Sequence, residues 1–153
     1  MSASPVATAL HREWAADLTT ERLYALLRLR VDVFVIEQEC AYQELDGRDL
    51  DPGTRHFWIA SEHRDEPVAY LRLLEQPGGC FRIGRVCTAK AYRGTGLSRR
   101  LMEAALADVG DAEVVLSAQE RVADLYEAYG FVRESDAYLE DGIPHIDMRR
   151  KSR

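Results

Sequence analysis

The sequence predicts an α/β domain in which a mixed β-sheet carries helices on its faces. Three observations predict it. A β-prone run over residues 81–88 feeds a turn holding Gly94 and Gly96, after which Leu97, Leu101, Met102, Ala105 and Leu106 recur at helical spacing. Ahead of it, apolar runs at 56–61 and 68–74 are separated by short polar turns, the pattern of an antiparallel meander. Behind it, strand-like and helix-like stretches alternate, and a meander followed by alternation is the order of a mixed sheet.

Taken in order, residues 2–8 are small and polar and predict a loose terminus. A weakly alternating stretch, 9–15, predicts a first strand. Thr19 and Thr20 offer N-caps and Glu21 suits a first helical turn. Leu23, Leu26, Leu27, Val31, Phe34 and Val35 then mark one face of a helix reaching about residue 37. Residues 40–54 form a long polar loop with Glu44, Asp46, Asp49 and Asp51, and a loop of that length in a compact domain is more often functional than not. The three meander strands follow, joined by turns at 62–67 and 76–79. After the glycine turn and its helix, 114–117 predicts a short buried strand. Val122, Leu125, Tyr126 and Tyr129 stripe a last helix, which Gly130 can end in a left-handed cap. Residues 131–134 and 145–149 predict a final strand pair joined through 141–144. The expected order is β-α-β-β-β-α-β-α-β-β, in one domain over residues 1–153.

At 46% hydrophobic and 30% charged, the 153 residues suit one globular domain with a real core. The formal net charge of −6 argues against general nucleic-acid binding. An anionic ligand therefore needs a local basic patch, for which Lys90, Arg93, Arg99 and Arg100 are available. The cysteines, Cys40, Cys80 and Cys87, are odd in number and lack paired spacing, which fits reduced thiols in the cytoplasm. His11, His56, His63 and His145 show no metal-ligand spacing, so no metal is expected. Neither a basic-then-apolar leader nor a membrane-length apolar run is present, and no membrane partner is expected.

The glycine turn carries the chemistry. Two glycines let backbone approach a ligand closely, and the helix behind them presents free N–H groups at its positive end. Arg93 and Arg99 can add charge-assisted bonds to a phosphate. On these residues alone, a pyrophosphate site and an ordinary βα turn both stand. A Rossmann fingerprint lacks its third glycine here, and no Gly-Lys-Ser/Thr follows to make a P-loop.

Two segments extend the reading. Arg93-Gly94-Thr95-Gly96-Leu97-Ser98 resembles the Arg/Gln-x-x-Gly-x-Gly/Ala acetyl-CoA motif of the GNAT N-acetyltransferases. Leu125-Tyr126-Glu127-Ala128-Tyr129-Gly130-Phe131 resembles that family's Leu-Tyr-x-x-x-Gly-Phe segment. The runs 23–30 and 33–38, together with Tyr42-Gln43, Asp46-Gly47, Asp49, Arg55-His56 and Gly142-Ile143-Pro144-His145-Ile146, are similar to its ElaA-like branch. Ser98 stands where the family usually has Gly or Ala, and Gln119 where many members have Asn.

The resemblance implies the GNAT acyl-CoA N-acyltransferase fold, with acetyl-CoA as co-substrate in a wedge between splayed parallel strands, here 82–88 and 114–117. It implies pantetheine contacts from backbone at Val86, Cys87 and Thr88 and from Gln119, and a pyrophosphate held by Arg93, Gly94, Thr95, Gly96, Leu97, Ser98 and Arg99. Tyr126 matches the family's general acid, although its place in an apolar stripe equally suits packing. Glu37, Glu44, Asp46 and His145 flank the expected acceptor mouth as base candidates; capping, surface and loop-ordering roles are the ordinary uses of such residues. The acidic run 37–51 either favours a cationic acceptor or is simply solvated. Arg85, which alternates with Arg82 around Gly84, either orients an acceptor or pairs with a neighbouring acid. Cys87 has no recognisable His partner, which disfavours an acyl-cysteine route. The implied reaction moves acetyl to a primary amine on a small molecule or protein. A non-catalytic acetyl-CoA sensor or partner module is the alternative, and a homodimer is left open.

Overall fold

A computed structural model describes residues 7–152. Eight strands form one sheet: β1 (Ala7–Trp14), β2 (Arg55–Ser61), β3 (Pro67–Gln76), β4 (Cys80–Thr88), β5 (Val114–Gln119), β6 (Val132–Arg133), β7 (Tyr138–Glu140) and β8 (Ile143–Arg150). Three α-helices accompany them: α1 (Thr20–Val31), α2 (Leu97–Val109) and α3 (Ala123–Glu127). The sheet order is β1-β2-β3-β4-β5-β8-β6, with β7 also paired to β8. β4 and β5 run parallel; the other pairs are antiparallel.

Period-2 alternation divides the central strands between two cores. Trp58, Ala60, Tyr70 and Cys87 face Leu26 and Leu29 of α1 and Val33 just beyond it. Phe57, Ile59, Leu71, Leu73 and Ile83 face Leu97, Leu101, Met102 and Ala105 of α2. Helices on both faces explain why β2 is buried along its whole length.

Thr19 caps α1, its Oγ1 accepting from the Arg22 amide at 3.1 Å. The periodic face runs to Glu37 as expected, but its last six residues, Asp32–Glu37, are wound as a π-helix. Ala7 and Thr8, expected in a loose terminus, belong to β1, whose pairing with β2 starts at Ala7↔Ser61; residues 2–6 lie outside the described residues. The strand expected over 9–15 ends at Trp14, and Ala15–Asp17 forms a 3-10 turn.

The last helix is short, with a 3-10 turn over Glu120–Val122 before α3, and Gly130 follows it at φ +92°. The final strand pair is present as β6 and β8, through Val132↔Arg149 and Arg133↔Met148. Between them the chain makes an unexpected strand, β7, which forms a hairpin with β8 across Asp141-Gly142. Its three residues, Tyr138, Leu139 and Glu140, are partly or fully exposed and too few to show an apolar alternation.

Leu101 is fully buried where α2 meets the sheet. Leu101→Ala is expected to lower unfolding free energy by about 2–5 kcal/mol, read as a fall in the urea midpoint at constant slope.

Candidate active site

β4 holds the site together by leaving one neighbour and keeping the other. It pairs with β5 only at Phe81↔Val114 and Arg82↔Val115. Beyond those pairs β4 stays on β3 as far as Ala69↔Thr88, while β5 follows β8 out to Gln119↔His145. The parting coincides with a β-bulge: Tyr70 pairs Cys87 and Arg72 pairs Gly84, so Leu71 faces both Arg85 and Val86. Arg85 takes φ +56°, a left-handed conformation unfavourable to a side chain with a Cβ. The Ala89 amide donates to Val68 O at 2.7 Å, so alternation turns the amides of Val86 and Thr88 toward the gap and that of Cys87 toward β3.

The gap opens into a cleft of about 1290 Å³. At one end lies the glycine turn, with Gly94 at φ +79° and Gly96 at φ +83°. Gly96 is the N-cap of α2 and has no side chain to satisfy the helix; the first intrahelical bond is Arg100 N–H to Gly96 O at 3.2 Å. The amides of Leu97, Ser98 and Arg99 therefore precede the helical ladder, and no acid stands in this first turn. Thr95 Oγ1 donates to Tyr92 O at 2.6 Å and braces the turn, while the Ser98 hydroxyl lies 3.2 Å from that of Thr88. Unpaired amides at the positive end of a helix, glycines with left-handed φ and a basic neighbour in Arg99 fit a phosphate-bearing ligand.

Of the residues singled out by sequence, the cleft gathers Glu37, Asp46, Arg85, Val86, Cys87, Thr88, Arg93, Gly94, Gly96, Leu97, Ser98, Arg99, Gln119, Tyr126 and His145. Thr95, which is exposed, and Glu44, which is buried, do not line it. Arg93 is already engaged: its guanidinium grips Glu37 at 2.7 and 2.8 Å and donates from Nε to Thr88 O at 2.9 Å. The hydrogen bond from Arg93 holds the Glu37 carboxyl below its usual range. Gln119 reaches Gln38 at 3.3 Å and accepts from Arg121 at 3.1 Å.

Tyr126 is half-buried, packed edge-on against Phe131, and burial, with Tyr129 behind it, pushes its phenol up to about 12. Cys87 is buried under α1, which pushes its thiol up to about 12 as well. His145 turns Nδ1 to Ile143 O at 2.7 Å and Nε2 to the Glu140 carboxylate at 3.5 Å. Among the described residues, no three His, Cys, Asp or Glu side chains converge as a metal site requires.

Three acids of the loop, Glu44, Asp46 and Asp49, are locked to arginines, while Glu39 and Asp51 stay exposed. Glu44 bridges Arg30 at 2.9 Å and Arg85 at 2.5 Å. Asp46 takes a two-pronged grip from Arg72, at 2.9 and 2.8 Å, with Arg85 at 3.4 Å. Asp49 closes the circuit between Arg72 at 3.2 Å and Arg30 at 2.5 Å. Three arginines and three carboxylates thus alternate in a ring. Arg30 is fully buried, and Glu44, Asp49 and Arg72 are nearly so. Burial works against both Asp carboxyls, yet the arginines outweigh it and hold each below its ordinary value. Arg85, left between two roles by the sequence, pairs with acids and lines the cleft at once. Arg30, Asp49 and Arg72 were missed as partners. The available signal was an arginine inside each of two apolar runs, Leu29-Arg30-Val31 and Leu71-Arg72-Leu73, where a charge needs a counter-charge.

A parallel pair that splits beside a bulge, with a phosphate-suited helix start at its mouth, is the arrangement of a fold that holds a phosphate-bearing ligand between two strands, and comparison with known proteins places it among the acyltransferases. A sequence model of the acetyltransferase (GNAT) domain matches residues 15–152, and the chain belongs to that family. Its relatives lie in the ElaA-like branch. It is 52% identical over 145 residues to a UPF0039 protein of Mycobacterium tuberculosis, covering 93% of this chain and 92% of that one. It is 41% identical over 142 residues to protein ElaA of Escherichia coli, covering 89% and 92%. The crystal structure of an acyl-CoA N-acyltransferase from Pseudomonas aeruginosa superposes with a TM-score of 0.86 at 46% identity, covering 94% of this chain and 99% of that one. Crystalline Escherichia coli ElaA gives 0.86 at 38% identity with the same coverage.

Removing one member of the buried ring strands the others. Asp49→Ala is expected to destabilise the fold by about 3–5 kcal/mol in urea unfolding at neutral pH. Because Asp46 and Asp49 have lower pKa values folded than unfolded, their contribution is complete above about pH 4. It should be lost as pH falls through the folded values, and an acid series of unfolding curves should show a shallower loss in Asp49→Ala.

Proposed function

We propose that the chain is an N-acetyltransferase that moves the acetyl group of acetyl-CoA directly to a primary amine. The observation that carries the reading is the split of β4 from β5 beneath one cleft shared by the α2 N-terminus and Tyr126. In this reading the amides of Leu97, Ser98 and Arg99, with the Gly94–Gly96 turn, hold the pyrophosphate. Backbone at Val86 and Thr88 meets the pantetheine arm and polarises the thioester carbonyl, an oxyanion-hole role, and Gln119 contacts the arm from β5. Cys87 supports them from the core.

Acetyl-CoA supplies an activated acyl carbon, and the neutral amine attacks it. Tyr126, kept protonated by burial, donates toward the departing sulfur, a role worth roughly 10²–10⁴-fold in rate. Burial under α1 pushes the Cys87 thiol up to about 12, which supports direct transfer over an acyl-cysteine route. For the amine's proton, Glu44 and Asp46 are poor bases because arginines already hold them. Glu37 is similarly committed to Arg93. His145, with no arginine partner, is the base this reading favours, directly or through water.

Release of CoA thiol from acetyl-CoA across a panel of amines tests the assignment. Tyr126→Phe should cut amine-dependent release at least tenfold while acetyl-CoA affinity stays within about twofold by calorimetry. Acetyl-CoA binding without release for any amine would favour a non-catalytic sensor instead. Gly96→Ala places a Cβ at φ +83°, and about 1–2 kcal/mol of strain should weaken acetyl-CoA binding roughly tenfold in the same calorimeter.

A further inference from the structure

We propose that the amine acceptor carries a carboxylate, seated over Gly84 against the Arg82 guanidinium. The inference rests on the acyl transfer proposed above and narrows its substrate class to amino-acid-like amines.

The first observation is a bare floor. Alternation puts Arg82 and Gly84 on one face of β4. Register then sets Arg72 opposite Gly84 on β3, and places Ser117 two residues beyond Val115, the partner of Arg82 on β5. Gly84 thus lies between Arg72, Arg82 and Ser117, and all four line the cleft. A Cβ built on Gly84 meets nothing within 4 Å. Its φ is not among the positive values, so no backbone conformation demands glycine there. What the missing side chain leaves is room, beside the parting strands.

The second observation is charge. Arg30, Arg72 and Arg85 are matched one for one by Glu44, Asp46 and Asp49. Arg82 is left over. It is half-buried, and its hydrogen bond is a long one, from Nη1 to Ser117 Oγ at 3.5 Å. Among the described residues no carboxylate oxygen lies within 4.0 Å of it. Ser117 donates onward to Asp147 at 2.9 Å, and Asp147 also accepts from Tyr138 at 2.6 Å, so that acid stands one hydroxyl away. A guanidinium short of a counter-ion, facing open space, suits a carboxylate, which it can grip with two parallel bonds.

The same inventory disfavours a polyamine. Asp46, the loop carboxylate that lines the cleft, and Glu44 and Asp49 beside it are consumed inside the ring, and Glu37 is held by Arg93. Glu140 faces His145, Asp124 pairs with Arg133, and the remaining cleft acids, Glu103 and Asp141, are exposed to solvent, where their attraction is weak.

Matched acceptor pairs that differ only in a carboxylate test this: lysine against 1,5-diaminopentane, and phenylalanine against 2-phenylethylamine, each with acetyl-CoA and the full chain. The carboxylate member should lead in kcat/KM by at least tenfold in one pair or more. Arg82→Gln should collapse that lead through KM, Arg82→Lys should restore part of it, and Gly84→Ala should raise the KM of the carboxylate member. Acetyl-CoA affinity, measured alongside, should hold in all three variants. Equal or better turnover of the carboxylate-free amines would overturn the proposal while leaving acetyl transfer intact. So would an Arg82→Gln variant that depresses both members alike. Acetyl-CoA binding with no turnover of any amine would sink the acetyl-transfer reading itself, and this inference with it.

Discussion

The cleft exists because β4 keeps β3 and abandons β5, and that choice has to be enforced at Arg85. A left-handed φ on a residue with a long side chain costs on the order of 1–2 kcal/mol, and a strand could relieve it by sliding back into register with both neighbours. Here the side chain is anchored instead. Glu44 accepts from Arg85 Nε, Asp46 stands at its fork, and the Tyr42 ring lies 5.7 Å beneath the guanidinium. The bulge is thus held from the loop side.

The anchor is itself anchored. Glu44 could not sit buried beside Arg85 without Arg30, nor Arg30 in the core without Glu44 and Asp49. Arg72 completes the ring from β3, the strand that β4 keeps. Below it, His56 touches Tyr70 at 2.6 Å and the Asp49 carbonyl at 3.0 Å, and burial keeps its imidazole below the ordinary value, hence neutral. Loop 40–54, α1, β2, β3 and β4 therefore share one polar knot within an otherwise apolar layer. Such a knot contributes less through net stability than through geometry, because its members fit in one arrangement only.

Much of this was legible before the structure. Helical spacing marked α1 and α2, Thr19 marked a cap, and two glycines marked the turn, because each of these is a local rule with a local cause. The two motifs located the cleft's ends. What the chain did not announce was pairwise: which arginine meets which acid, where two strands part, and that 138–140 adds a strand. Those depend on residues far apart in sequence, as Arg30 and Glu44 or Tyr70 and Cys87 are, and a charge run reads alike whether solvated or locked into a ring. The arginines buried at Arg30 and Arg72 were the visible trace of the ring; their partners were not.

Burial acts on two neighbours of the split to opposite ends. Cys87 and Tyr126 are both pushed up to about 12, chiefly by loss of water. For the thiol, buried beneath α1, this disfavours the thiolate a nucleophile would need. For the phenol, on the cleft, it guarantees a proton through the physiological range but makes the group a weaker acid. In the proposed reaction a phenol raised by burial gives up its proton to a departing thiolate less readily than an exposed one. Under that proposal Tyr126 would serve chiefly as a hydrogen-bond donor while negative charge gathers on sulfur. The same desolvation that strengthens this bond in the transition state forbids a standing phenolate in the ground state. A tyrosine exposed enough to ionise near 10 would gain acidity and lose the bond's strength, so for the proposed reaction the partial burial of Tyr126 against Phe131 favours donation over ionisation.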